Sequence, residues 1–578
     1  MRSIIGPKPY WRLWIGALTL MWLPLPLLGF NSHHDGYIFT ATRLTRDSII
    51  HGGEWPFNQF GSFWVFPHAL LGLIVPDQFL FIATRYLTLA LYIFTGFLIW
   101  KLAKKMKGTS FANLSLFLFF ASQPFIGTHA SGFNSWPSAI AMPILLILGI
   151  LIFRLEGSDL SNRKEQMELS LIGALVATLI LTRAQVGILA LITTIFFILV
   201  IKRFKGLLFF AFGIFGFGVL YFTFLWRNGW LSDSLKDEFI FGSIYVRAGG
   251  SIFHLPVPFF TSFGTFVILF FLVFYRKILP IVQSIFRTSI GKLFAIILIF
   301  TSFLSIYLIL KSRNLGLISV ISVTTRRFWM SLLFASILLF TYRQIRLSIS
   351  ALSNGTFQEL GLQRNNFLAL LSISAQSQVW PLFDQMHSWW GSVPGVIVVA
   401  LTLVSLQTKQ SSELSSKRMA PFGLLVILSI LIVPWVPQVM AITDGQIPRT
   451  IGRIPLLSQA NSTDDDLQKF FDQNFTKGER VLNLCQNADV FYKQHFVISS
   501  SRLFVYWPQM TLVPNFIDEM KNSPADAILT CSLNELNPEN QKFDEIQQSK
   551  IVSNLTNNST AVIEANVGGK TWKISRNP

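Results

Sequence analysis

Charged residues are scarce in this 578-residue chain: they make up 13% of it, about half the share of a typical soluble domain. Apolar residues make up 52% and aromatic residues 14%, and the mean hydropathy is +0.51. Apolar runs of about membrane-spanning length recur from Trp11 to Met440. This pattern excludes an ordinary soluble domain and predicts a polytopic α-helical membrane protein.

The first apolar run, Trp11 to Phe30, carries no small-residue cleavage pattern. We therefore expect it to be a retained helix and not a signal peptide. About thirteen transmembrane helices are predicted within residues 1–440. They cover residues 11–30, 79–100, 108–123, 137–153, 169–184, 187–202, 206–226, 257–275, 293–310, 327–342, 367–383, 392–408 and 421–440.

Basic residues outnumber acidic ones, 47 to 29, so the net charge is +18. No basic stripe with interleaved aromatic residues accompanies this charge, and we expect no nucleic-acid partner. The basic residues cluster instead in alternate loops between the predicted spans, 23 in one set of loops and 10 in the other. The positive-inside rule places the richer set and the N-terminus in the cytoplasm. With thirteen spans, the C-terminal segment lies outside.

Acidic residues are missing from the middle of every predicted span. Proton- or ion-coupled transporters usually need ionisable groups at membrane depth, so this absence argues against transport. All eight histidines, and acids such as Asp35 and Asp384, fall on the predicted outer side. The sequence therefore favours chemistry at the outer membrane surface.

From Ala441 the chain becomes polar, and strand patterns alternate with helix patterns. Residues 441–578 are predicted to form an exported α/β domain, long enough to bury its own core. The candidate strands are 480–485, 501–506, 526–531, 560–566 and 571–575, and the candidate helices are 464–473, 487–494, 514–522 and 541–549.

Cysteine is nearly absent: the chain has two, Cys485 and Cys531, and each ends a candidate strand of the exported domain. A disulfide is one interpretation, since the predicted compartment allows it. Two buried small apolar side chains are the other.

The first outer loop, about residues 31–78, begins with the tetrad His-His-Asp-Gly at 33–36. Residues 37–51 are predicted to form a short helix along the membrane interface, because apolar residues recur there at helical spacing. Asp35 stands just before this helix. It either caps the helix N-terminus or serves a chemical role.

Several outer segments together resemble a known group. The first outer loop carries an early acid, an interfacial helix and a Gly/Pro/aromatic segment, residues 52–64. Further matches are a W-P-S segment at 136–138, a polar turn at 182–187 and a D-x-x-H-x-W-W segment at 384–390. With a dozen or so spans and an exported C-terminal domain, this layout resembles the GT-C superfamily of membrane glycosyltransferases that use polyprenyl-phosphate-linked sugars. The tetrad is similar to a bacterial branch of that superfamily.

The resemblance implies a transferase at the outer face of the plasma membrane. A sugar on a polyprenyl phosphate would be presented there, and an acceptor hydroxyl on a glycan, lipid or protein would attack the anomeric carbon with inversion. Asp35 holds the position of the carboxylate that acts as general base. Cations must hold the departing lipid phosphate, and arginine suits its oxygens.

Some members of the superfamily carry a second acid in this region, but here Asn58 and Gln59 are amides. They remain candidate substrate-binding residues. The missing acid argues against a metal site with two carboxylates, so we expect no cofactor; a divalent metal held by the tetrad is the one alternative.

The other candidate substrate-binding residues each have a second interpretation. His33 and His34 are site residues or polar loop residues. Arg183 is a phosphate ligand or an arginine extending toward the interface. Asp384 and His387 line the site or form the polar tip of an aromatic belt.

Two other classes compete with the transferase. A polysaccharide polymerase or ligase of the O-antigen type would share the spans and the outer site, but its main outer domain is expected between spans. A lipid or polysaccharide transporter would need repeated halves or polar groups at the middle of the membrane, and neither is visible in the sequence.

Overall fold

The computed structural model describes residues 9–29, 34–58, 61–123, 136–155, 163–241, 315–356, 360–379, 385–408, 447–451, 454–458, 462–485, 487–494, 496–506, 516–532, 561–567 and 569–576, with the single residues 133, 300, 304, 307, 311, 435, 553 and 555. The helices of the membrane part are α1 Pro9–Trp22, α2 His34–His51, α3 Val65–Gly72, α4 Asp77–Lys107, α5 Thr109–Ala121, α6 Pro137–Leu155, α7 Arg163–Thr182, α8 Ala184–Arg227, α9 Leu231–Leu235, α10 Leu315–Ser353, α11 Leu360–Gln376, α12 Gln385–Gly391 and α13 Gly395–Thr408. A π-helical segment, Lys236–Phe241, follows α9.

Five helices in the described part of the chain are long and apolar enough to cross a membrane. Shorter apolar helices occupy Ile15–Leu27, Thr109–Ala121 and Ala184–Val200. The predicted spans 257–275, 293–310 and 421–440 lie wholly or almost wholly outside the described residues, so the total of thirteen stays a prediction. These five helices are Asp77–Lys107, Pro137–Leu155, Arg163–Thr182, Phe204–Arg227 and Leu332–Ser353.

Helix α4 shows how local sequence sets the limits of a span. Asp77 lies in its first turn and three lysines in its last turn, so both ends complement the helix dipole. Gly108 ends the helix with φ +84°, a conformation that favours glycine. The lysine-rich end is the one that the sequence places in the cytoplasm.

Helix α8 turns back on itself. A straight helix would separate Ala184, the first residue of α8, from Tyr221 by about 55 Å. Yet the N–H of Phe63 donates to the carbonyl of Leu181, next to the start of α8, at 3.1 Å. The same Phe63 ring lies 5.9 Å from the ring of Tyr221, near the end of α8. The run therefore accommodates the two predicted spans 187–202 and 206–226.

Close packing between α7 and α8 depends on glycine. A Cβ atom on Gly173 would lie 2.1 Å from the carbonyl oxygen of Phe210, a distance that no side chain tolerates. Small residues allow such close approach of helices in a membrane. An aromatic cluster fills part of the core, where the buried Trp22 packs against Tyr92 and Phe120 at ring distances of 6.4 and 4.8 Å.

The C-terminal part is an α/β domain, as the alternating pattern predicts. Strands β1 and β2 form an antiparallel pair, and β3 to β7 form a mixed sheet in the order β4-β3-β5-β7-β6. Strand β3 pairs in parallel with β4 and β5, while β7 pairs antiparallel with β5 and β6. The elements are β1 Ile447–Ile451, β2 Ile454–Ser458, α14 Ser462–Asn474, β3 Arg480–Asn483, α15 Asp489–Lys493, β4 Ile498–Ser499, α16 Phe516–Lys521, β5 Ala527–Cys531, β6 Ala561–Val567 and β7 Lys570–Arg576.

Four of the five candidate strands are present, but the strand predicted at 501–506 is wrong. This segment is irregular, and all six residues are buried. Its apolar composition reflects burial between the sheet and the first outer loop and not strand pairing. The candidate helix 541–549 lies outside the described residues.

The two cysteines form a disulfide, with Cα atoms 5.5 Å apart. Cys531 ends β5, and Cys485 follows β3, the neighbouring parallel strand. The bridge closes a long loop, since the cysteines are 46 residues apart in sequence.

Candidate functional site

Asp35 lies in a buried ion pair at the start of the first outer loop. Helix α2 begins at His34, three residues earlier than predicted, so Asp35 lies in its first turn. Nη2 of Arg85 donates to Oδ2 of Asp35 at 2.6 Å, and both side chains are 2% exposed or less. The carboxylate is thus held in one orientation by a fixed cation.

Arg85 connects three parts of the chain at this point. Its Nη1 donates to the carbonyl oxygens of Pro26, Leu28 and Gly29 at 2.9–3.1 Å. Its guanidinium also lies 4.4 Å above the ring of Phe81. The end of the first span, α4 and the start of α2 therefore meet at one arginine.

Helix α4 also contacts the second segment that the sequence singled out. Tyr92 lies seven residues after Arg85, two turns along the same helix face. Its hydroxyl accepts the indole N–H of Trp390 at 3.0 Å. The ring of His387 meets that of Trp390 edge-on at 5.5 Å. Thus α4 links Asp35 to the segment containing His387.

Tyr37 continues the site from Asp35 into the loop. Its hydroxyl donates to the carbonyl of Phe57 at 3.2 Å. Its ring stacks on Trp136, from the W-P-S segment, and contacts Phe504 of the C-terminal domain, at 6.2 and 5.2 Å. The W-P-S segment and the C-terminal domain, both predicted to lie on the outer face, therefore meet at Tyr37.

The side-chain amide of Asn58 forms hydrogen bonds within the first outer loop. Its side-chain N–H donates to the carbonyl of Gly61 at 2.7 Å, and its side-chain oxygen accepts the indole N–H of Trp64 at 2.8 Å. Gly61 has φ +103° and packs against the carbonyl of Leu181, where a Cβ would lie 2.5 Å away. The amide of Asn58 thus fixes a tight turn against the junction of α7 and α8.

Arg183 lies at that same junction and is buried. It separates α7 from α8, with φ −151° and ψ 88°, and its Nη2 donates to the carbonyl of Gln378 at 3.4 Å. Arg183 and Asn58 therefore belong to one group, and Asp35 and His387 to another. Tyr37, through Phe57, joins the two.

Three predicted site residues, His33, Gln59 and Asp384, lie outside the described residues. His34 begins α2, and its side chain is also outside them. Within the described part of the chain, no three His, Cys, Asp or Glu residues are grouped to hold a metal ion. The cation beside Asp35 there is the guanidinium of Arg85.

The C-terminal domain covers the polar face of α2. The ring of Tyr492 lies against Gly36, where a Cβ would come within 2.7 Å. Nη1 of Arg43 donates to the carbonyl of Phe491 at 2.9 Å and its Nη2 to that of Val497 at 3.3 Å. Arg43 is therefore buried beneath this domain, not exposed on the interfacial helix.

A second buried ion pair joins the domain to the membrane part. Arg502 donates two parallel hydrogen bonds to Asp237, both at 2.9 Å, and their side chains are 6% and 3% exposed. Burial raises the pKa of Asp237 to about 6, although Arg502 and the N–H of Asn58 oppose this. The two hydrogen bonds from the Arg502 guanidinium favour the ionised form of this carboxyl group. Burial raises the pKa of the adjacent Glu238 to about 8.

The sequence did not identify Arg85, Tyr92, Asp237 or Arg502 as candidate site residues. Arg85 had a detectable signal, because it is the one charged residue in the predicted span 79–100. An ionisable residue within a span is a functional candidate by default. Asp237 and Arg502 are 265 positions apart, and a single sequence carries no signal for such a pair.

No protein-family model and no curated protein sequence matches the chain. Among solved structures, the oligosaccharyltransferase of Archaeoglobus fulgidus in the apo form is similar, with a TM-score of 0.49 and 13% identity over 90% of this chain and 70% of that chain. ArnT from Cupriavidus metallidurans bound to undecaprenyl phosphate has a TM-score of 0.43 and 11% identity, over 98% of both chains. The first is named an oligosaccharyltransferase, and the second was solved with undecaprenyl phosphate bound. Similarity this low assigns no activity to the chain.

Proposed function

We propose that the protein is an integral-membrane glycosyltransferase that moves a sugar from a polyprenyl-phosphate carrier to an acceptor hydroxyl. The observation that carries the proposal is the buried Asp35, oriented by Arg85 at the start of the first outer loop. Buried charges are costly, and a fixed carboxylate in a predicted outer site is suited to catalysis.

In the proposed reaction, the acceptor oxygen bonds to the anomeric carbon while the bond from that carbon to the phosphate oxygen breaks. Asp35 takes the proton of the attacking hydroxyl as general base. The polyprenyl phosphate leaves with the bonding electrons, and attack opposite the leaving group inverts the anomeric centre. The acceptor is a glycan, a lipid or a protein.

The remaining candidate residues bind substrate in this proposal. Arg183 holds the phosphate, since guanidinium groups match phosphate oxygens. The residues proposed to contact the substrate are His33, His34, Asn58, Gln59, Asp384 and His387. Asn58 also fixes the turn at Gly61, to whose carbonyl its side-chain N–H donates.

We propose that no divalent metal assists at Asp35. Arg85 supplies a positive charge 2.6 Å from the carboxylate. A metal ion bound to the same oxygen would be repelled by the guanidinium. The protein thus has no cofactor in this proposal.

The proposed location is a bacterial plasma membrane, with the N-terminus in the cytoplasm and residues 441–578 outside. The distribution of basic loop residues supports this orientation. The disulfide Cys485–Cys531 supports it independently, because disulfides persist in oxidising compartments outside the cytoplasm.

The test compares membrane glycolipids and wall polysaccharide in cells that lack the protein with those in cells that regain it. Wild type should restore a missing glycan product, and Asp35→Asn should not. Full restoration by Asp35→Asn would refute the assigned base.

A further inference from the structure

One short segment of the C-terminal domain, residues 502–504, runs against the first outer loop. The N–H of Phe57 donates to the carbonyl of Arg502 at 2.9 Å. Two residues later, the ring of Phe504 lies 5.2 Å from that of Tyr37. Backbone and side-chain contacts thus fix this segment to two points of the loop.

The side chain of Arg502 adds a third attachment through Asp237. The guanidinium holds both carboxylate oxygens, and Oδ2 also accepts the N–H of Asn58 at 3.0 Å. Nε of Arg502 donates to Glu519 within its own domain at 2.8 Å. The first outer loop, the π-helical segment and the C-terminal domain therefore meet at the carboxylate of Asp237.

These contacts connect to the first turn of α2, which carries the proposed base Asp35. Tyr37 lies two residues after Asp35 on α2, and its hydroxyl donates to the carbonyl of Phe57. Gly36, the residue between them, lies against Tyr492 of the same domain. A shift of residues 502–504 would therefore move the first turn of α2.

The Arg502–Asp237 ion pair is better suited to fixing the orientation of the two groups than to increasing stability. A buried ion pair contributes little net stability because both charges lose their hydration. A planar guanidinium that grips both oxygens of a carboxylate does fix their relative orientation. An apolar contact of similar size would hold the domain without setting this angle.

We propose that Arg502, through Asp237, is a positioning residue for the transferase: it sets the first outer loop so that Asp35 meets the acceptor. This inference rests on the proposed function. The exported domain is then a working part of the site, because its removal or displacement misplaces the base.

The experiment compares the full-length protein with Arg502→Met, Arg502→Lys and Asp237→Asn in lipid nanodiscs. Lys573→Gln is the matched control, since Lys573 pairs with Glu564 at 2.9 Å on the exposed side of the same domain. Transfer is measured with donor lipid extracted from the native membrane. Hydrogen exchange is measured on peptides covering 34–58 and on strands β3, β5 and β7.

Arg502→Met should lower kcat by about tenfold or more, with the KM for donor within about twofold, because misplacement affects the chemical step. Arg502→Lys should restore part of kcat by keeping one charge–charge contact. Exchange should rise in 34–58 and stay unchanged in the strands. The control should match wild type in all readouts.

Unchanged exchange in 34–58 would overturn the inference, whatever the activity. So would wild-type kcat in both Arg502→Met and Asp237→Asn. If Arg502→Met does not fold, Arg502→Lys and Asp237→Asn, which preserve most of the shape, decide the question. Failure of the proposed function is distinct: it requires Asp35→Asn to keep full activity.

Discussion

Replacing Arg85 with methionine tests the ion pair that holds Asp35. Methionine keeps a long, flexible side chain but removes the guanidinium that binds Asp35 and three backbone carbonyls. Both partners are almost completely buried. The substitution therefore leaves a carboxylate in the protein interior without its cation.

Removing one partner of a buried pair costs about 3–5 kcal/mol of folding free energy. The cost should be smaller in an Asp35→Asn background, where no buried charge is stranded. We expect a coupling of about 2 kcal/mol between the two substitutions. Arg85→Met should also abolish transfer, because the base is no longer oriented.

The assay is denaturant unfolding in detergent micelles of wild type, Arg85→Met, Asp35→Asn and the double variant. Arg154→Met is the matched control, since Arg154 is exposed at the end of α6. This control should change the free energy of unfolding by less than about 0.5 kcal/mol. The reasoning is refuted if the two substitutions add within that margin, or if Arg85→Met keeps wild-type transfer.

Three further predictions concern pH, the disulfide and metal. Burial lowers the pKa of His68, which lies outside the spans, to about 4. Below about pH 6.5 the unfolded chain therefore binds a proton at this histidine that the folded protein does not bind. The free energy of unfolding should fall by about 2 kcal/mol between pH 7.5 and pH 5. His68→Gln should abolish this loss in pH-dependent unfolding, and an unchanged loss would contradict the assignment. The double substitution Cys485→Ser and Cys531→Ser should destabilise the C-terminal domain by about 4 kcal/mol, because the disulfide closes a long loop. Denaturant unfolding measures this change, and unchanged stability would argue against the bridge. EDTA should leave transfer within about twofold of its initial rate, whereas loss restored by added Mg²⁺ or Mn²⁺ would contradict the metal-free proposal.

Sequence patterns predicted the features that depend on neighbouring residues. Apolar runs located the five described helices that are long and apolar enough to cross a membrane, and alternating patterns located the strands β3, β5, β6 and β7. The junction at Arg183 and the aromatic segment at Trp389 and Trp390 were also identified, because polar or aromatic residues interrupt apolar runs there. Each of these signals is local in the chain.

The sequence did not predict features created by tertiary contact. Residues 501–506 have the composition of a strand, but they are buried against the first outer loop and pair with no strand in the described sheet. Arg43 has the spacing of an exposed helix face, yet the C-terminal domain covers it. The partners of Asp35 and Asp237 lie 50 and 265 positions away. Such pairings depend on the approach of distant segments, which periodicity does not encode.

The most direct test of Asp35 as general base is the rate of sugar transfer by purified Asp35→Asn. Asparagine keeps the size of the side chain and can still accept a hydrogen bond from Arg85, but it cannot take the proton. Asp47→Asn is the control on the same helix, since Asp47 is 40% exposed and pairs with Arg46. We predict that Asp35→Asn loses at least about 100-fold in kcat while Asp47→Asn stays near wild type. Wild-type kcat in folded Asp35→Asn would contradict the account.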